Sequence, residues 1–224
     1  MIKKGIISRI YRLLVIISLL TGILLNVTGT TSVAAILSYY TLQSNIICLM
    51  AFIGIEIISL LKKKYEDNDI YYLIKGSITI IIFITAIVYA VALMPNNFQM
   101  DSISPSLGNL REFLSNFLVH RLSPILVCLD YFLFDKKGKF KLYYPLIWVF
   151  IPLNYLTYVY TYSAHGGEFF GVGGSNRFAY FFLDYTMIGY SGVIKAIGIM
   201  TLLILLISYI FVFLDRKLGK LQKR

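Results

Sequence analysis

Two side chains in this 224-residue sequence are best placed to do chemistry, a histidine and a threonine. A neutral imidazole can abstract a proton near physiological pH, and His120 is the histidine that falls inside a long apolar run. Taken alone, such a histidine is more often a helix-to-helix hydrogen bond than a base. Two neighbours shift that balance. Asn116 stands four residues earlier, on the same helical face, where it can hold the ring. Pro124 stands four residues later and lacks the N–H that the His120 carbonyl would accept, so the helix opens locally. Thr41 heads another apolar run. An alcohol is a poor nucleophile until a base takes its proton, so Thr with His is the minimum for acyl transfer. The reaction also needs donors where the oxyanion develops, and Gln43, Ser44 and Asn45 place amide and hydroxyl groups beside Thr41. By itself Thr41 is a weak signal, because most threonines in apolar runs satisfy their own backbone or a neighbouring helix.

A metal reading is weaker. Catalytic zinc takes three protein ligands and keeps one open position. The candidate ligands are His120, His165 and a carboxylate such as Glu168 or Asp184, and this reading ranks third, so neither a metal nor another cofactor is expected. His165, in a Gly-rich loop, and Asp184 are expected on the substrate side of the site.

The elements that must position these residues are membrane spans. Hydrophobic residues make up 58% of the chain, charged residues 14%, and the mean hydropathy is +0.76. A soluble domain is roughly half apolar and a quarter charged. A span needs about 20 apolar residues at about 1.5 Å each, and six stretches meet that demand, at 10–28, 38–61, 72–94, 113–134, 142–163 and 191–214. The expectation is an all-α membrane protein, a six-helix bundle forming a single integral membrane domain over 1–224. The first stretch resembles a signal peptide, with Ser32, Val33 and Ala34 as a passable cleavage site. Its apolar run from Ile10 to Val27 is longer than a signal core, so retention is expected.

The net charge of +10 would otherwise suggest a nucleic acid partner. In this layout it follows from topology, and no nucleic acid is expected. On the side of the two termini lie Lys3, Lys4, Arg9 and Arg12, then Lys62, Lys63, Lys64 and Lys75, then Lys136, Lys137, Lys139 and Lys141, and last Arg216, Lys217, Lys220, Lys223 and Arg224. The other side receives Arg111, Arg121, Arg177 and Lys195. By the positive-inside rule both termini are cytoplasmic. Glu56 is expected to snorkel toward the lysines at 62–64, and Asp130 to pair with a neighbouring Lys. The stretch from Ala164 to Tyr190, rich in Gly and aromatics, is expected to fold back onto the bundle. Cys48 and Cys128 both lie in apolar runs and offer neither a disulfide framework nor a CxxC pair.

Three stretches carry a family resemblance: Tyr39-Tyr40-Thr41-Leu42-Gln43-Ser44-Asn45, then Asn116-Phe117-Leu118-Val119-His120 with Pro124, and Tyr180-Phe181-Phe182-Leu183-Asp184 before Gly189. In these, and in the order and size of its spans, the chain resembles the androgen-induced-gene family of membrane threonine hydrolases. The resemblance implies a six-span hydrolase of fatty acid esters of hydroxy fatty acids, with Thr41 as nucleophile and His120 as the catalytic histidine. Phe117 stands where animal members carry a first histidine. A composition rich in Ile, Lys, Asn and Tyr points to a bacterium with AT-rich DNA, and so to a bacterial plasma membrane.

The expected activity is therefore hydrolysis of a membrane lipid or lipid-like ester near the extracytoplasmic face. The alternative is a small transporter or lipid-binding membrane protein in which His120, Asn116 and Thr41 line a polar cavity without catalysis. Transport sites lie near the bilayer midplane, often with an internal repeat. The sequence shows neither a repeat nor a midplane charge pair, which favours hydrolysis. A third possibility is an inactive scaffold or assembly factor.

Overall fold

In a computed structural model the described residues are 2–61, 68–93, 107–171 and 174–222. They are almost entirely helical. Five helices are long and apolar enough to cross a membrane: Gly5–Thr28, Tyr40–Leu60, Asp69–Val91, Leu110–Phe134 and Tyr185–Gln222. The chain divides into two compact units, Met1–Thr31 with Thr41–Lys136, and Ser32–Tyr40 with Lys137–Arg224.

The first unit contains α1 (Ile2–Thr28), α3 (Tyr40–Leu60), α4 (Asp69–Val88) with a π-helical turn Tyr89–Leu93, and a fourth span. That span is built from α5 (Leu107–Phe117), a π-helical turn Leu118–Leu122 and α6 (Ser123–Phe134). At one end of the unit five ionisable side chains meet. Lys75 of α4 pairs with Asp130 of α6 and lies 3.5 Å from Asp135. Arg12 of α1 lies 3.1 Å from Asp130 and 3.7 Å from Glu56 of α3. The Tyr71 hydroxyl donates to Asp135. This corrects one expectation. Arg12 and Lys75 are not loop charges but helix-interior ones, with Lys75 at 0% exposure, because the carboxylates of facing helices neutralise them. Glu56 turns to Arg12; Lys62, Lys63 and Lys64, like Lys223 and Arg224, lie outside the described residues.

The opposite end is closed by a capping cation. The Arg111 guanidinium donates to the Leu25 carbonyl at 3.0 Å and to Thr28 Oγ1 at 2.7 Å, where the last carbonyls of α1 lack helical partners and carry partial negative charge. Between the two ends α1 packs closely on the fourth span through small residues. Ser18 and Ser123 share a hydrogen bond of 2.8 Å. A Cβ on Gly22 would stand 2.9 Å from Val119 Cγ1 and 3.1 Å from Leu118 Cβ. Small residues four apart let two helices approach without lipid between them.

The second unit holds α2 (Val33–Leu37), α7 (Tyr144–Trp148), α8 (Phe150–Ala164), a hairpin of β1 (Phe169–Gly171) with β2 (Gly174–Asn176), and α9 (Tyr185–Gln222). The expected span at 142–163 forms as α7 and α8, neither of them long enough to cross alone. Pro152 is the cause: it has no N–H to give the Trp148 carbonyl, so the ladder breaks there. The stretch after Ala164 folds back onto α8, with Phe169, Phe178 and Leu183 packed on Tyr155 and Val159. At the far end of α9 the buried Asp215 carboxylate accepts the backbone N–H groups of Gly138 at 2.7 Å and Phe140 at 2.8 Å. Gly219 lies so close to that loop that a Cβ would come within 2.6 Å of Gly138 Cα.

Candidate functional site

The geometry of the first unit begins with a missing hydrogen. Pro124 cannot donate, and the ladder of the fourth span widens just before it, the Ser123 N–H reaching the Leu118 carbonyl five residues back. In that wider register the residue at 124 would serve the Val119 carbonyl. Asn45 of α3 serves it instead: its Nδ2 donates to Val119 O at 3.2 Å and to Thr41 O, one turn back, at 2.8 Å. One amide thus ties the start of α3 to the wide turn that carries His120.

Across that tie Thr41 Oγ1 and His120 Nε2 lie 3.2 Å apart. The other ring nitrogen, Nδ1, is 3.2 Å from the Asn116 carbonyl oxygen. A carbonyl only accepts, so Nδ1 carries the hydrogen and Nε2 presents its lone pair to the threonine hydroxyl. Thr41 then donates to His120, the arrangement a nucleophile and base require. The contact from Asn116 to the ring is made by its backbone carbonyl. Thr41 is buried at 7% exposure, and His120 is half-buried.

The neighbouring hydroxyls are committed elsewhere. Ser44 Oγ lies 2.9 Å from Thr41 O and 2.8 Å from Thr85 Oγ1, and Thr85 Oγ1 lies 3.0 Å from Ile81 O. Two hydroxyl protons already serve three contacts, leaving none for an oxyanion. Asn45 has likewise spent both amide hydrogens, and its Oδ1 is buried without a hydrogen bond among the described residues. Neither Ser44 nor Asn45 therefore has a free hydrogen to offer an oxyanion. Gln43 sits two residues beyond Thr41, about 200° round the helix, on a different face.

His165 and Asp184 belong to the second unit, where both serve helix ends. His165 follows α8, is exposed, and its Nδ1 donates to the Thr161 carbonyl at 2.8 Å. Asp184 precedes α9, and its Oδ1 accepts from the Thr186 N–H at 2.8 Å and the Thr186 hydroxyl at 2.6 Å. Among the described residues no three His, Cys, Asp or Glu side chains group as a metal site.

Sequence reasoning missed Tyr89 and Thr85. The Tyr89 ring stacks on the His120 imidazole, centroids 3.9 Å apart and planes 17° from parallel. Their signal was a hydroxyl and an aromatic four residues apart at the end of a span that runs antiparallel to α3. Comparison with protein-family models, with curated proteins and with solved structures finds no match to the chain.

Proposed function

We propose that this chain is an integral membrane hydrolase of lipid esters, of the type that the androgen-induced-gene resemblance implies, with Thr41 as nucleophile and His120 as base. The observation that carries the reading is the 3.2 Å contact from Thr41 Oγ1 to His120 Nε2, with the tautomer set by the Asn116 carbonyl. Thr41 attacks the ester carbonyl carbon as its proton passes to Nε2, the proton moves on to the leaving alkoxide, and water activated by the same nitrogen releases the acid. Thr41 lies in the first turn of α3. Backbone N–H groups there lack intrahelical partners, and the helix end carries partial positive charge. They supply the oxyanion donors that Ser44 and Asn45 cannot.

The proposed layout has six crossings, with α7 and α8 together making the fifth, both termini cytoplasmic and the site at the extracytoplasmic face of a bacterial plasma membrane. The positive-inside bias supports that orientation. A fatty acid ester of a hydroxy fatty acid is the expected substrate. With the purified chain in lipid vesicles, release of free hydroxy fatty acid is expected to fall at least about 100-fold in both Thr41→Ala and His120→Ala. Equal release by either variant and the parent removes the reading.

One observation favours the transporter alternative, the ion-pair cluster of Arg12, Glu56, Lys75, Asp130 and Asp135 inside the first unit. Ionisable groups within a bundle commonly mark ion and proton routes. Substrate-independent proton or cation flux through vesicles that is lost in Asp130→Asn favours that alternative.

A further inference from the structure

The proposed reaction creates a cation, and the described residues set no anion against it. When His120 takes the Thr41 proton its ring becomes an imidazolium. In a Ser-His-Asp hydrolase that cation faces a carboxylate. Here Nδ1 donates to a neutral carbonyl, that of Asn116, and among the described residues no carboxylate forms an ion pair with the ring. Against the face of the imidazole lies the Tyr89 ring, 3.9 Å away and nearly parallel. A cation within about 6 Å of an aromatic face is drawn to its negative quadrupole, most strongly where water is excluded. Tyr89 is also fixed to the nucleophile's helix. It opens the π-helical turn that follows α4, four residues beyond Thr85, whose hydroxyl shares a hydrogen bond with Ser44.

We propose that the π face of Tyr89 stabilises the imidazolium of His120, a role that other hydrolases give to a carboxylate at Nδ1, the place the Asn116 carbonyl takes here. This rests on the hydrolase reading above. In the step concerned, Thr41 Oγ1 bonds to the ester carbonyl carbon and its proton goes to Nε2, while the carbonyl π pair moves onto oxygen. The ring carries its charge until the proton reaches the leaving alkoxide. Tyr89 forms no bond in the step and acts through the His120 ring on which it stacks, so its effect falls on kcat with KM unchanged. The phenol hydroxyl has no role in this.

The test uses the purified full chain in detergent, with p-nitrophenyl octanoate as the probe ester. Tyr89 is replaced by Phe, by Leu, and by phenylalanines bearing one, two or three ring fluorines, which keep the ring's shape while draining negative potential from its face. Tyr89→Phe is expected to keep kcat within about twofold of the parent, and Tyr89→Leu to lose about 3- to 30-fold. The fluorinated series is expected to fall stepwise with each fluorine. A flat fluorine series overturns the proposal, as does a Phe variant that loses as much as the Leu variant. Should Tyr89→Leu fail to fold, the fluorine series decides alone. Thr41→Ala, assayed alongside, separates the two levels. Turnover lost in Thr41→Ala but unchanged across the fluorine series overturns the role of Tyr89 and leaves the hydrolase standing. Turnover that is absent in the parent, or indifferent to Thr41→Ala, overturns both.

Discussion

Asn45 donates its two amide hydrogens to carbonyls on different helices, Thr41 O and Val119 O. In Asn45→Ala the Val119 carbonyl loses its buried partner, at a cost of about 1–3 kcal/mol where no water replaces it, while Thr41 O keeps the Ser44 hydroxyl. The tie between Thr41 and the turn that carries His120 goes with it. The expected outcome is a lower melting temperature in detergent together with at least about a tenfold loss of kcat, since small misplacements of reacting groups are costly. A loss of stability with kcat intact would show that Asn45 holds the helices without setting the Thr41 to His120 distance. At this scale the sequence was informative where a residue was out of place. Thr41, Asn45, Asn116 and His120 stand out as polar groups in apolar runs. Which atom of each would act was not legible, because it depends on a partner helix: Asn116 works through its carbonyl, and Asn45 as a brace rather than an oxyanion donor. Tyr89 was missed because an aromatic near the end of a span reads as an interfacial residue.

The fourth span is the element on which the site depends, and its wide turn follows from Pro124. In Pro124→Ala an N–H returns, and the ladder can close to its ordinary four-residue step. His120 would then rotate away from Thr41, so activity is expected to drop at least about tenfold while thermal stability holds or rises by up to about 1 kcal/mol. Opposite signs for the two measurements distinguish register from simple damage. Gly22 tests the same turn from outside. With Val119 Cγ1 at 2.9 Å from a new Cβ, Gly22→Ala is expected to destabilise by about 1–3 kcal/mol and to lower kcat by displacing the wide turn. Full activity and an unchanged melting temperature would mean that α1 gives way at no cost. Both effects start from residues visible in the sequence. Pro124 announced a disturbed helix, though not that the disturbance would be a widened turn braced from α3. Pro152 breaks the expected fifth span in the same way, and there the length of the apolar run concealed it.

Across the first unit, Thr41 with His120 and the ion-pair cluster lie at opposite ends of the same four spans. Thr41 and Tyr89 stand near the ends of α3 and α4 opposite those that bear Glu56 and Lys75. Breaking a buried pair by removing one partner costs about 3–5 kcal/mol, whereas removing both together costs far less. Lys75→Met is therefore expected to lower detergent stability severely, and Lys75→Met with Asp130→Leu to recover part of the loss. A double variant no better than the single one would show that Arg12 and Asp135 depend on the same pair. Arg12 and Lys75 escaped notice because a basic residue near the start of a span reads as a topological charge; only the facing helices reveal their carboxylate partners. The most direct measurement of the central claim is covalent. The purified chain is treated with a fluorophosphonate probe, digested, and the modified residue identified by mass spectrometry. The phosphonyl group is expected on Thr41, at a rate reduced at least about 100-fold in His120→Ala. Modification at another residue, or labelling of Thr41 that proceeds unchanged without the imidazole, would contradict a threonine nucleophile activated by His120.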